Sequence, residues 1–259
     1  MEHSDLWHSI RHEIEGQLVF RTDDELGELF VVDHGERRLL YFGAPYEQSC
    51  ICREAPFRPV HEYARAMLLV LAWAQPEDVL ILGLGGGTLI HAIRHSVPDA
   101  EVRVVELRES VIRIAREFFQ LENDTRLDVV HGDAKVYCRS ATPESCDILF
   151  ADLFTDNRMH PWQQQHKFLV QAHKMLRKHG WLVINFDRYQ EPGSPCMNSL
   201  LSLFPTLLSV ITRDGNHVIL ASPAGGFDLA EHVGAVEPLA ARLEVPLAAL
   251  LTDVMDLSA

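Results

Sequence analysis

Val79-Leu80-Ile81-Leu82-Gly83-Leu84-Gly85-Gly86-Gly87 decides how this chain folds. Its first four residues are all apolar, the mark of a short strand covered on both faces of a parallel sheet. The run breaks into glycines, and Leu89 to Ser96 then has the pattern of a helix. Glycines at such a turn admit positive φ and let a ligand approach the backbone where a Cβ would block it. On its own the unit is a weak signal, because many α/β proteins carry a strand, a glycine turn and a helix in this order.

The flanking sequence repeats the rhythm. Downstream, strands are expected at Val102 to Val105, Leu127 to Val130, Asp147 to Phe150 and Trp181 to Phe186. Helices are expected at Ser110 to Phe119 and at His166 to His179, the latter closed by Gly180. Strand and helix alternating at this pitch predict βαβ units around a parallel sheet. Upstream, His61 to Ala74 is long enough for a helix. Before it, Gln17 to Arg21, Glu28 to Val32 and Arg37 to Phe42 read as strands joined by tight turns, with Asp33-His34-Gly35-Glu36 as a hairpin turn. The proline-containing stretch Arg53 to Pro59 marks a boundary. The expected fold is α/β: a Rossmann-like parallel-sheet core over 59–259, preceded by a small N-terminal antiparallel β domain over 1–58. The tail, Asp228 to Ala259, carries helical patterning interrupted by Pro238 and Pro246.

Composition narrows the function classes. The 259 residues are 47% apolar, enough for a real core, so general disorder is excluded. A net charge of −14 argues against an extended nucleic-acid footprint, which needs a basic face. No apolar run approaches the ~20 residues of a membrane span. Met1-Glu2-His3-Ser4-Asp5 lacks the features of a signal peptide, and the five cysteines lack paired spacing. The expectation is a cytoplasmic protein with reduced thiols, no membrane partner and no nucleic-acid partner. The assembly is left open, a homodimer being one option.

Two acids make the glycine turn more specific. Glu106 ends the strand after the glycine loop, where a carboxylate can accept both ribose hydroxyl protons of an adenosine nucleoside. Dinucleotide and adenosylmethionine binders share that arrangement. Thr88 stands where a dinucleotide loop would have its third glycine, and Asp133 follows the third strand, where adenosylmethionine folds face the adenine. Both features favour an adenosyl sulfonium over a nicotinamide cofactor.

The residues Gly83 to Gly87, Val105-Glu106, Gly132-Asp133-Ala134 and Asp147 to Asp152 together resemble the spermidine synthase (polyamine aminopropyltransferase) family, as a divergent member. His61-Glu62 and the helix from Val111 to Phe119 extend the resemblance, which covers most of the chain. It implies polyamine biosynthesis: transfer of an aminopropyl group from decarboxylated S-adenosylmethionine to a small, putrescine-like amine. It also implies that Gly83 and Gly85 line the methionine-derived part, Glu106 the ribose and Asp133 the adenine. Asp152 matches the aspartate that takes the proton from the attacking amine. His61 and Asp156 are the implied substrate-binding residues. The sequence departs from the pattern at Gly86, where the family loop has an Asp, and at Thr212 to Asn216, where a late tyrosine-containing segment is absent.

A sulfonium already carries a neutral thioether as leaving group, so transfer is a positioning task that needs no metal. A protonated amine must lose a proton before it attacks, and a carboxylate within reach serves as base. Two other functions fit the same residues: a methyltransferase using S-adenosylmethionine itself, or a non-catalytic nucleoside-binding scaffold in which Asp152 is a turn cap. His91 and His95 lie one helical turn apart but lack a third ligand, so no metal is expected. Cys50 and Cys52 are read as packing residues, and Met67 to Trp73 as core. His160, Trp162 and His166 fit either a lid or a plain loop.

Overall fold

A computed structural model describes residues 15–43, 47–155 and 158–258. Four strands come first: β1 (Gln17–Asp24), β2 (Gly27–His34), β3 (Arg37–Phe42) and β4 (Glu47–Cys52). They form one antiparallel sheet in sequence order, each strand paired with the next. The sheet is separate in strand pairing but not in packing. Leu29, Val31, Leu40, Phe42 and Ile51 on its inner face join the same core as the glycine-loop strand and its helices.

The main sheet contains β5 (Asp78–Leu82), β6 (Glu101–Glu106), β7 (Leu127–His131), β8 (Cys146–Ala151), β11 (Leu176–Phe186), β12 (Thr206–Ile211), β13 (His217–Ser222) and β14 (Val254–Asp256). A two-stranded ribbon, β9 (Phe154–Thr155) and β10 (Arg158–Met159), follows β8. The strand order is β14-β12-β13-β11-β8-β5-β6-β7, and β11 through β7 are parallel. Val79 and Ile81 of β5 face one core, Leu80 and Leu82 the other. The wholly apolar run therefore lies between two layers, as a central parallel strand requires.

Three sequence expectations are corrected. The helix expected to run to His179 ends at Met175, and Leu176 already pairs with Cys146 in the sheet. Gly180 is no helix stop: it lies in an irregular stretch of β11 between Leu176 and Trp181. The sheet is not wholly parallel, because β12, β13 and β14 add an antiparallel edge. The tail is not all helical, since Val254–Asp256 pairs with β12. Helices at Ala134–Ser140 and Pro195–Leu203 complete the second core layer. Among the described residues no helix is long and apolar enough to cross a membrane.

The β11 irregularity gives a test. A Cβ on Gly180 would lie 2.9 Å from the Asp147 carbonyl oxygen and 3.1 Å from that of Arg177. Backbone atoms cannot step aside as a flexible side chain can. Gly180→Ala should therefore cost about 1–3 kcal/mol in denaturant unfolding, the usual penalty for overpacking.

Candidate functional site

The turn after β5 is built by what its glycines lack. Gly83 has φ +97°, and a Cβ there would lie 2.3 Å from the Asp152 carbonyl oxygen. The bare Cα lets the chain leaving β8 lie against the loop, where the Asp152 amide donates to the Leu82 carbonyl at 3.0 Å. Gly85, at φ +53°, faces Ser49 of β4. Gly86 is bounded by Phe119: a Cβ would come 2.6 Å from the ring, which is fully buried. This packing leaves no room for an aspartate at Gly86.

Glu106 is buried at the end of β6 beside this loop. Its Oε2 accepts from the Leu84 amide at 2.9 Å and its Oε1 from the Arg108 amide at 2.8 Å. Burial pushes its pKa up, and these two amides work against that shift. The Arg108 guanidinium in turn forms a two-point pair with Asp24 of β1 at 2.9 and 2.7 Å. Asp133 caps the helix Ala134–Ser140, accepting from the Lys135 amide at 2.7 Å.

Asp152 keeps part of its surface open to a cavity of about 480 Å³. Desolvation by the surrounding protein pushes its carboxyl up from 3.8 to about 6, while a hydrogen bond from Asn185 and the field of His61 pull the other way. The Asn185 Nδ2 donates to Asp152 Oδ1 at 2.9 Å. His61 Nε2 lies 2.6 Å from Glu47 Oε1, and the imidazole stacks on Tyr63.

The cavity gathers Gly83, Gly85, Glu106, Asp133, Asp152 and His61 into its lining, so six of the seven residues singled out from the sequence meet in one place. Asp156 lies outside the described residues. The other candidates disperse. His91 bonds to the Phe119 carbonyl at 2.8 Å while His95 stacks on Phe57, so the pair shares no ligand point. His160 and Trp162 line the cavity from a short turn, whereas His166 bonds to Ser199 elsewhere. All five cysteines are free and buried. Ligand atoms of Glu47, Cys50 and His61 lie within 4.8 Å of one another, a grouping able to hold a metal ion. Glu47 and His61 already satisfy each other, and burial pushes the Cys50 thiol up to about 12.

Sequence reasoning missed Glu47, Gln163, Asn185 and Asn216. One signal was present: Asn185 is the single polar residue in the apolar run Trp181 to Phe186. Gln163 and Asn216 sit in polar stretches that gave none.

A family model described as "Methyltransferase domain" matches residues 79–180. A polyamine aminopropyltransferase from Chromobacterium violaceum is 30% identical over 183 residues, covering 70% of this chain and 70% of its own. The enzyme of that name from Vibrio vulnificus is 28% identical over 204 residues, covering 75% of this chain and 68% of its own. Among solved structures, a probable spermidine synthase from Corynebacterium glutamicum superposes with a TM-score of 0.73 at 19% identity, covering 86% of each chain. Human Methyltransferase-like protein 13 in complex with SAH gives 0.63 at 21% identity, covering 72% of this chain and 94% of its own. At these identities the two structures establish the shared fold.

The raised Asp152 carboxyl has a consequence for stability. Folding favours its protonated form, so its contribution is fully present below the unfolded value of 3.8 and is lost as pH rises through about 6. Between about pH 4 and pH 7 the native protein should lose on the order of 2 kcal/mol relative to Asp152→Asn, allowing for partial exposure. Denaturant unfolding of both proteins across that range checks this, and parallel curves would contradict it.

Proposed function

Because the chain belongs to the polyamine aminopropyltransferase family, we propose that it moves the propyl arm of an adenosyl sulfonium onto a small, putrescine-like amine, with Asp152 as the base. In the form the family name gives, the donor is decarboxylated S-adenosylmethionine, the group is aminopropyl and the setting is polyamine biosynthesis. The observation that carries this reading is the contact of Gly83 with Asp152, which puts a titratable carboxylate beside the nucleoside-type glycine loop.

In this reading Glu106 accepts the ribose hydroxyls, Asp133 faces the adenine, and Gly83 and Gly85 leave space for the sulfonium and its arm. The amine nitrogen attacks the arm carbon next to sulfur. The carbon–sulfur electron pair returns to sulfur, methylthioadenosine leaves, and the amine proton passes to Asp152. His61 walls the acceptor side, and Asp156 is retained as a second anchor on sequence grounds alone. In the proposed division at residue 58, the described residues of 1–58, with Leu26, Phe42, Glu47, Gln48 and Ser49 in the cavity wall, roof the site, and those of 59–259 form its body.

Methyl transfer from S-adenosylmethionine is the second reading, and Gly86 favours it. A decarboxylated arm ends in a lone ammonium, and the loop offers it no acid. Among the described residues the amides of Gly85 and Gly86 donate to no protein acceptor, which suits a donor that keeps its carboxylate.

Asp152→Asn keeps the shape and removes the base. Donor binding should survive, while turnover falls by roughly 10²–10⁴-fold, the usual loss for a general base. The assay is donor consumption with putrescine, spermidine and other small amines, followed by product mass. A methyl gain would select the second reading. Tight donor binding with no product from any amine would leave a nucleoside-binding scaffold.

A further inference from the structure

We infer that Asn185, held in place by Asn216 and Gln163, is a positioning residue that gives the two oxygens of Asp152 different tasks, reserving Oδ2 for the proton of the acceptor amine. This rests on the reading of Asp152 as the base.

Asn185 is 1% exposed near the end of β11, among apolar neighbours. A buried amide is costly unless its hydrogen-bonding groups are used. Here they are. Nδ2 donates to Asp152 Oδ1 at 2.9 Å, Oδ1 accepts from Asn216 Nδ2 at 3.0 Å, and the backbone carbonyl accepts from Gln163 Nε2 at 2.7 Å.

The polarity of this chain is set by the carboxylate. An ionised Asp152 can only accept, so Asn185 must turn its NH₂ toward it. That turns the Asn185 oxygen toward Asn216, whose amide must then donate. With Oδ1 occupied by a fixed donor, a proton taken from an amine resides on Oδ2.

Gln163 keeps this arrangement still. It is fully buried, and its Oε1 accepts from the Leu153 amide at 3.1 Å while its Nε2 holds the Asn185 carbonyl. One side chain thus ties the residue after Asp152 to the strand that carries Asn185. On the other side the Asp152 amide is bonded to Leu82. The backbone of the base is fixed at both ends.

The titratable groups that line the cavity with Asp152 are Glu47, His61, Tyr63, His160 and Asp214, with Glu106, Arg108, Asp133 and Lys135 across the glycine loop. Asn185 is neutral. Replacing it changes the state of Asp152 without adding or removing a charge.

The test is the pH profile of kcat/KM with the best amine found, in the native protein, Asn185→Leu, Asn185→Ser and Asn216→Ala. Loss of the Asn185 donor destabilises the carboxylate, so the acidic limb of Asn185→Leu should move up by about one pH unit, with the rate down about twofold at pH 7 and about tenfold at pH 5, and donor KM nearly unchanged. Asn185→Ser, which keeps an O–H donor, should recover part of the shift. Asn216→Ala, at a partly exposed turn, should move the limb in the same direction by less, and it decides the matter where Asn185→Leu does not fold. An unmoved limb with a uniform loss of rate would overturn the inference. Should the native protein turn over no amine, the proposed function fails by itself. The Asp152 titration, followed by carboxyl-carbon NMR in the same variants, then still supports or overturns the hydrogen-bond role.

Discussion

The site depends on the missing Cβ of Gly83. Two parallel strands, β5 and β8, end side by side, and the chain leaving each must turn without colliding with the other. At Gly83 a methyl group would sit 2.3 Å from the Asp152 carbonyl oxygen, far inside contact distance. With hydrogen in its place, β8 continues its ladder one residue further, through the Asp152 amide to Leu82. The same place is where the strand order reverses: β6 and β7 lie to one side of β5, β8 and β11 to the other. Open α/β sheets hold ligands at this reversal because helices leave in opposite directions and open a crevice. Steric allowance at one residue and topology of the whole sheet therefore select the same point.

The N-terminal sheet closes that point from above and is part of its electrostatics. Arg108 supplies a backbone amide to Glu106 and a guanidinium to Asp24, so the acid at the end of β6 and the end of β1 share one residue. Phe20 stacks on Phe118, and Arg38 donates to the Phe118 carbonyl, holding the sheet against the following helix. Ser49 lies over Gly85 and Gly86 and pairs with Thr88 at 3.3 Å. Thr88 thus bonds to the roof as well as opening a helix. The small sheet cannot be displaced without disturbing the acid and the loop beneath it.

Those contacts also separate what could be read in the sequence from what could not. Val79 to Gly87 was legible because a wholly apolar run followed by glycines has few other solutions. Glu106 and Asp133 followed by their places at strand ends. The end of the helix at Met175 was not legible, because Leu176 to Gly180 continues a plausible helical pattern and only pairing with Cys146 overrides it. The antiparallel edge was hidden for the same reason, since β12 and β13 differ from buried parallel strands only in their partners. Asn185 and Gln163 act through neighbours distant in sequence, and no local pattern announces such a partner. Where a residue's role comes from its own backbone geometry, the sequence carries it. Where the role comes from a partner across the fold, it does not.

Glu106 and Asp152 show how one cavity makes two carboxylates unlike each other. Burial raises the pKa of both. Each oxygen of Glu106 meets a backbone amide, donors that cannot rotate away or lose their proton. It is held as an acceptor in a fixed orientation. Asp152 has one side-chain amide and the field of an imidazole opposing its desolvation, and its carboxyl stands at about 6. An acid there exchanges a proton near neutral pH at small cost, whereas a carboxylate locked between two amides serves better as a fixed acceptor for hydroxyl protons. Environments that push paired acids toward different tasks are the physical basis of acid–base assignment. The difference here comes from what each carboxylate is bonded to, main chain in one case and a braced asparagine in the other.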